Sequence, residues 1–306
     1  LVGGDANTNL AGALAARKLD IAVGHVEAGL RSRDKWRPFP EEMFRRLSDA
    51  LSDHWFAPTR RARDNLLAEG LPGAGVHVTG NTVVDALQAM ASTYRPFRDR
   101  VLARVAGGGD RVPGSGASGV AGGGGGRRLV LLTAHRRESF GEPLREIFRA
   151  VRELAETHAD VEVVYPVHPN PNVVGPAREI LSGHPRVHLT DPVDYLDLVQ
   201  ALRGAVLVLT DSGGIQEEAP AFGTPVLVLR EVTERPEGVE AGVAELVGMD
   251  RRLILERAGA LLEESREGRT APPNPYGDGR AGERIADIVL SDLTGRPRRT
   301  TDWEGP

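Results

Sequence analysis

The sequence predicts an α/β protein of two Rossmann-like domains, each on a parallel sheet. Three observations carry this expectation. Short apolar runs alternate with helical stretches through both halves, the pattern that builds parallel strands joined by right-handed crossovers. Run after run stops on a reactive group: Asp5, Glu27, His135, His168 and Asp211, with Glu41 opening a helix. A glycine-rich stretch, residues 106–126, separates two alternating series, and its composition is that of a flexible linker or surface insertion. The expected organisation is therefore the remainder of an N-terminal domain over 1–105, a disordered linker over 106–127 and a nucleotide-binding domain over 128–280. A helix packing back on the first domain, with a frayed tail, accounts for 281–306.

The first series opens on Leu1-Val2-Gly3-Gly4-Asp5, which reads as the end of a buried strand already in progress. The first domain is accordingly expected to lack its initial strands, as in a fragment or a mis-called start. A small-residue helix follows from about Asn9 to Leu19, then a strand over Ile21–Val26 that ends at Glu27. Pro40 suits the first turn of a helix over Glu41–Leu51. His54–Ala57 is a strand, Pro58-Thr59 begins a helix to about Gly70, and Val76–Val78 is a strand. Asn81 or Thr82 can cap the next helix, which runs to about Ser92.

The second series begins with Leu129–Thr133 and runs into Ala134-His135-Arg136-Arg137-Glu138. Ile147, Val151 and Leu154 give a helical stripe to Leu144–His158. Strands are expected at Val161–Val167 and Val187–Leu189, with a helix at Leu196–Leu202. Strands at Ala205–Leu209 and Pro225–Leu229 bracket Ser212-Gly213-Gly214 and an apparent helix carrying Gln216, Glu217 and Glu218. Val243–Val247, Arg251–Ser265 and Ala281–Leu293 complete the series as strand, helix and helix.

The stretch from Thr210 to Gly242 concentrates the chemistry. Two glycines at a helix start let a phosphate approach backbone N–H groups and the positive end of the helix dipole. Ser212 adds a hydroxyl, and Arg235 is a candidate diphosphate clamp one loop away. Carboxylates there suit sugar or ribose hydroxyls better than phosphate oxygens. Polar groups at successive strand ends mark the edge where ligands collect in such sheets, and domains facing each other there would enclose a cleft. In it, carboxylates can serve as general acid and base.

Composition narrows the classes further. The chain has 306 residues, 40% hydrophobic and 26% charged, with no cysteine and a net charge of −5. That excludes a thiolate metal site and a disulfide framework and argues against a broad nucleic-acid surface. No apolar run approaches the ~20 residues that span a bilayer. A reducing cytoplasm is compatible with the absent cysteines. The histidines lack a third ligand at helical spacing, so no metal is expected.

Five motifs in order point to one family. They are His25-Val26-Glu27-Ala28-Gly29-Leu30-Arg31-Ser32, Pro38-Phe39-Pro40-Glu41-Glu42, Gly80-Asn81-Thr82-Val83-Val84-Asp85, Thr133-Ala134-His135-Arg136-Arg137-Glu138-Ser139 and the 210–242 stretch. Together they resemble the non-hydrolysing UDP-N-acetylglucosamine 2-epimerases from Gly4 to about Leu290. The resemblance implies a two-domain fold similar to the GT-B glycosyltransferases. It implies interconversion of UDP-GlcNAc and UDP-ManNAc through elimination of UDP to 2-acetamidoglucal and re-addition, without metal or NAD. Asp5, Glu27 and Glu41 match the family's catalytic carboxylates, and His135 its histidine near the diphosphate. Ser212, Gly213 and Gly214 match its phosphate cradle, Glu218 its ribose contact and Arg235 its nucleotide-binding arginine. Its aromatic uracil contact falls on Leu198, and Arg136 and His168 match a second, regulatory UDP-GlcNAc pocket. The family is usually dimeric. Alternatives are a UDP-sugar-binding remnant without turnover, a GT-B glycosyltransferase, or an epimerase of a modified UDP-HexNAc.

Overall fold

The computed structural model describes residues 1–93, 95–106, 127–267 and 272–306. The expected glycine-rich linker lies, from residue 107 to 126, outside the described residues. By contacts the chain divides into two compact units. One comprises Leu1–Gln88, Val232–Glu237 and Asn274–Pro306, the other Ala89–Glu231 and Gly238–Pro273.

The first unit holds a four-stranded parallel sheet of β1 (Val2–Gly3), β2 (Gly24–Val26), β3 (His54–Ala57) and β4 (Val76–Val78), in that spatial order. Helices α1 (Asn7–Lys18), α2 (Glu41–Leu51), α3 (Arg60–Ala68) and α4 (Thr82–Ala91) alternate with them. Trp55 and Ala57 pack with Ala62 and Leu66 on one face, while Phe56 meets Ile285 and Ile288 on the other. This is the period-two alternation of a strand. Thr59 caps α3 by accepting from Ala62 N. The apolar run expected from Ile21 enters the sheet only at Gly24. Asp20 turns out of α1 with φ 55° and Ile21 N bonds back to Ala16 O, so the first residues of the run close the helix rather than extend the strand.

The second unit holds six parallel strands: β5 (Arg128–Thr133), β6 (Val161–Pro166), β7 (Val187–Thr190), β8 (Leu207–Thr210), β9 (Val226–Val228) and β10 (Ala244–Leu246). Their spatial order is β10-β9-β8-β5-β6-β7. After α5 (Arg100–Val105), helices α6 (Glu142–Thr157), α7 (Pro171–Leu181), α8 (Tyr195–Gly204), α9 (Gly213–Glu218), α10 (Pro236–Glu240) and α11 (Arg251–Glu267) follow in sequence. One core lies around Leu132, Phe148 and Tyr165, the other around Leu131, Val164 and Leu202. Both faces of the central strands are therefore buried, as parallel sheets require.

Three further differences from the sequence expectation have identifiable causes. The proline-rich stretch after His168 forms α7, with Asn170 accepting from Asn172 N and Pro171 in the first turn, where its missing N–H costs nothing. The helix after the glycine turn is short, because Pro220 follows within a turn and the chain continues as a 3₁₀ segment to Phe222. The tail does not fray. After α12 (Ala281–Thr294), Asp287 accepts from Arg299 N and Thr300 N at 2.7 and 2.8 Å. Trp303 N then donates to Val78 O at 2.8 Å, and Val78 N to Asp302 at 3.0 Å, tying the tail to β4.

Gly29 and Gly70 share a left-handed backbone, φ 82° and 85°, but a Cβ would meet Ala62 O at 2.1 Å in the first and nothing within 4 Å in the second. Gly70→Ala should therefore cost only the conformational penalty, about 1 kcal/mol. Gly29→Ala should cost about 3 kcal/mol, because overpacking adds to it. Chemical denaturation of the two variants side by side measures the difference.

Candidate active site

The first unit gathers carboxylates at the carboxyl edge of its sheet. Asp5 follows β1, Glu27 follows β2 and Glu41 begins α2. Gly4, at φ 81°, bends the chain so that its absent Cβ would lie 3.5 Å from Glu27 Oε2. Glu27 itself sits at φ 68°, a conformation that costs a non-glycine residue about 1–3 kcal/mol and collects at functional sites. Asn81 Nδ2 donates to Glu27 Oε1 at 3.0 Å. Arg45, one turn into α2 and 3% exposed, donates to Asp5 at 2.5 Å and to Glu42 at 3.1 Å. Its Nη2 lies 3.6 Å from Glu234, which also pairs with Arg235. Glu41 Oε2 is buried with no hydrogen-bond partner among the described residues, a costly condition for a carboxylate oxygen.

Arg235 belongs by contacts to this same unit, on the segment Val232–Glu237. Tyr276 donates from its hydroxyl to Arg235 O at 2.9 Å, and Asn81 N donates to Tyr276 O at 2.7 Å. One chain of bonds thus runs from the Arg235 loop through Tyr276 and Asn81 to Glu27.

The second unit presents its polar groups where its strand order reverses, between β5 and β8, the point at which doubly wound sheets open a crevice. Thr133 and Thr210 close the two strand ends with a 2.6 Å hydroxyl contact. Asp211, fully buried, then accepts from the backbone N–H groups of His135 and Arg136 at 2.7 and 2.8 Å. Burial pushes the Asp211 carboxyl above its ordinary range, against the pull of His135 and these two donors. His135 Nδ1 lies 3.6 Å from the other Asp211 oxygen, and its ring stacks on His168 at 5.2 Å. Burial lowers His135 below the ordinary histidine value, Asp211 raising it and Arg136 and His168 lowering it. Arg136 Nε is buried without a hydrogen-bond partner among the described residues.

Ser212, Gly213 and Gly214 follow directly, Ser212 N donating to Thr210 Oγ1 at 2.9 Å. A Cβ at Gly214 would meet no atom within 4 Å, so packing does not require glycine there. Glu218, at the end of α9, accepts from the Tyr195 hydroxyl at 2.9 Å, and burial raises its carboxyl. Leu198 packs, half-buried, against the core beside α8. Arg230, buried, donates to Glu138 at 2.6 Å and ties the end of β9 to the turn after β5.

Sequence reasoning did not single out Arg45, Tyr195 or Tyr276, nor Asn81 as the holder of Glu27. For Arg45 a signal existed: the (i, i+3) spacing from Glu42 puts both on one helix face. The other contacts join segments distant in sequence, which no local pattern encodes.

Two parallel sheets with polar groups at their strand ends define an α/β protein of GT-B-like class. The sequence model of the family described as UDP-N-acetylglucosamine 2-epimerase matches residues 1–290. A Bacillus subtilis UDP-N-acetylglucosamine 2-epimerase is 45% identical over 308 aligned residues, covering 100% of this chain and 75% of the relative. The Staphylococcus aureus MnaA–UDP structure is similar with TM-score 0.87 and 41% identity, over 99% of this chain and 78% of that one. The Neisseria meningitidis UDP-GlcNAc 2-epimerase bound to UDP-GlcNAc matches with TM-score 0.84 and 41% identity, over 95% and 76%. The chain belongs to the UDP-N-acetylglucosamine 2-epimerase family.

The His135–Asp211 contact makes a titration prediction. His135 should titrate below the ordinary histidine value of about 6.5. Asp211→Asn, which keeps an oxygen for both backbone donors, should move it lower still by removing the charge that raises it. NMR titration of the His135 ring measures both; a move upward in the variant would contradict the placement.

Proposed function

We propose that this chain interconverts UDP-N-acetylglucosamine and UDP-N-acetylmannosamine as a non-hydrolysing 2-epimerase. A base removes the C2 proton, the C1–O bond breaks, UDP departs and 2-acetamidoglucal remains. UDP then re-adds at C1 while C2 receives a proton on the opposite face. The observation that carries the reading is the carboxylate set Asp5, Glu27 and Glu41 at one sheet edge, each matching the family's catalytic acids. A proton removed from one face and returned to the other asks for more than one acid–base group, and these three supply them.

The leaving group is assigned to other residues. His135 serves the diphosphate, with Ser212, Gly213, Gly214 and Arg235 as its cradle and clamp and Glu218 as the ribose contact. The open space at Gly214 supports this assignment, because close approach of a ligand rather than protein packing explains the glycine. Leu198 stands at the base-contact position, offering apolar contact without an aromatic ring. Arg136 and His168 are assigned to a second, regulatory UDP-GlcNAc pocket. The proposal extends to a homodimer acting in the cytoplasm, and the chemistry calls for no cofactor.

Incubation with UDP-GlcNAc, followed by NMR, tests the reading. UDP-ManNAc should appear, approaching a fixed ratio from either sugar nucleotide; accumulation of free sugar, or transfer only when an acceptor is added, would overturn it. Asp5→Asn and Glu41→Gln should each reduce turnover ~10²-fold or more while leaving UDP affinity largely intact by calorimetry. Gly214→Ala should do the reverse at no cost in melting temperature, weakening UDP binding in the same calorimetric measurement.

A further inference from the structure

Behind the carboxylates lies a buried charged cluster that the proposed reaction does not use. His25, on β2, is fully buried. Its Nδ1 lies 2.6 Å from Asp49 Oδ1, and its Nε2 3.0 Å from the carbonyl oxygen of Gly4. Both partners are acceptors, and a backbone carbonyl can be nothing else. Asn9 Nδ2 lies 3.4 Å from the same Nε2, but nearer to two oxygens, Gly4 O at 2.7 Å and Ser48 Oγ at 3.2 Å. A neutral ring would set a bare nitrogen against an oxygen in a fully buried site, whereas a ring protonated on both nitrogens serves both.

Asp49 is itself fixed by further donors. Asp49 Oδ2 accepts from Arg31 at 2.7 Å and from Gly29 N at 3.3 Å, and Arg31 also pairs with Glu69 at 2.7 Å. Glu69, partly exposed, also lies 3.7 Å from Arg46 Nε, so the outer carboxylate of the cluster has cations on two sides. Inside, the buried Asp49 meets Arg31 on one oxygen and His25 on the other, and a buried charge is tolerated when it is paired and hydrogen-bonded.

We infer that His25 is a buried imidazolium that, clamped by Asp49, acts as a positioning residue for the catalytic carboxylates. The carbonyl it holds, together with Asn9, is that of Gly4, so the peptide leading into Asp5 has one orientation. His25 is two residues before Glu27 on the same strand. Asp49 lies two turns beyond Glu41 on α2, and its Oδ2 holds Gly29 N just past Glu27. One ion pair thus references all three carboxylate-bearing segments to each other. A glutamine cannot replace the ring, because its donor and acceptor share one end while the ring's two donors point in opposite directions.

The inference rests on the roles proposed for Asp5, Glu27 and Glu41, and its tests separate the two. In ¹⁵N NMR of the wild-type chain at neutral pH, both ring nitrogens of His25 should carry protons, with slow exchange marking the fully buried ring. A neutral tautomer would overturn the inference. In His25→Gln, and in Asp49→Asn as a second variant that keeps the side-chain shape, turnover per UDP-binding site should fall ~10²-fold, the scale of a small misplacement, with KM little changed. Sites are counted by calorimetric titration with UDP. Fewer competent sites with unchanged turnover per site would show a merely structural role and overturn the positioning claim. If Asp5→Asn and Glu41→Gln leave turnover intact, the catalytic reading fails instead, whatever the protonation of His25.

Discussion

Parallel pairing is the constraint on which the rest depends. Every strand in both sheets runs the same way as its neighbours, so within each sheet all strands end at one edge. The central strands are covered on both faces, with Val130, Leu131 and Leu132 at 0% exposure, and cannot carry functional polar groups along their length. Chemistry is displaced to the residues just past each strand end, which is where Asp5, Glu27, His135 and Asp211 stand.

At that edge, burial is offset by opposite charge and by backbone donors. Asp211 receives two N–H groups of the turn after β5, so the strand-order reversal is held shut by a carboxylate. Arg45 meets Asp5 and Glu42, with Glu234 within reach, and removing such a cation would leave its partners as uncompensated buried charge. Glu41 keeps a buried oxygen without a hydrogen-bond partner among the described residues. Asp211 and Glu237 likewise keep a buried oxygen without one, and groups left unpaired in this way call for an explanation other than stability.

Much of this was legible in the sequence, and the reason is local. The expected strands His54–Ala57 and Val76–Val78 coincide with β3 and β4, because short apolar runs bounded by turn residues have few alternatives. The helix Glu41–Leu51 is equally plain from its proline and its acidic first turn. What escaped was hidden by prolines or set by partners remote in the chain. Helix α7 was hidden by prolines that its own cap accommodates. The tail appeared free to fray because Val78 and Asp287, which pin it, lie elsewhere in sequence. Arg45, Asn81 and Tyr276 look like ordinary helix or turn residues until the fold brings them to Asp5, Glu27 and Arg235.

The central claim is that the carboxylates act on the proton at C2 and that the C1–O bond breaks in the same reaction. Incubating UDP-GlcNAc with the enzyme in heavy water tests it most directly. Deuterium should enter C2 of the UDP-ManNAc formed and accumulate at C2 of the recovered UDP-GlcNAc. Epimerised product that retains its original C2 hydrogen, or neither exchange nor product, would contradict the account.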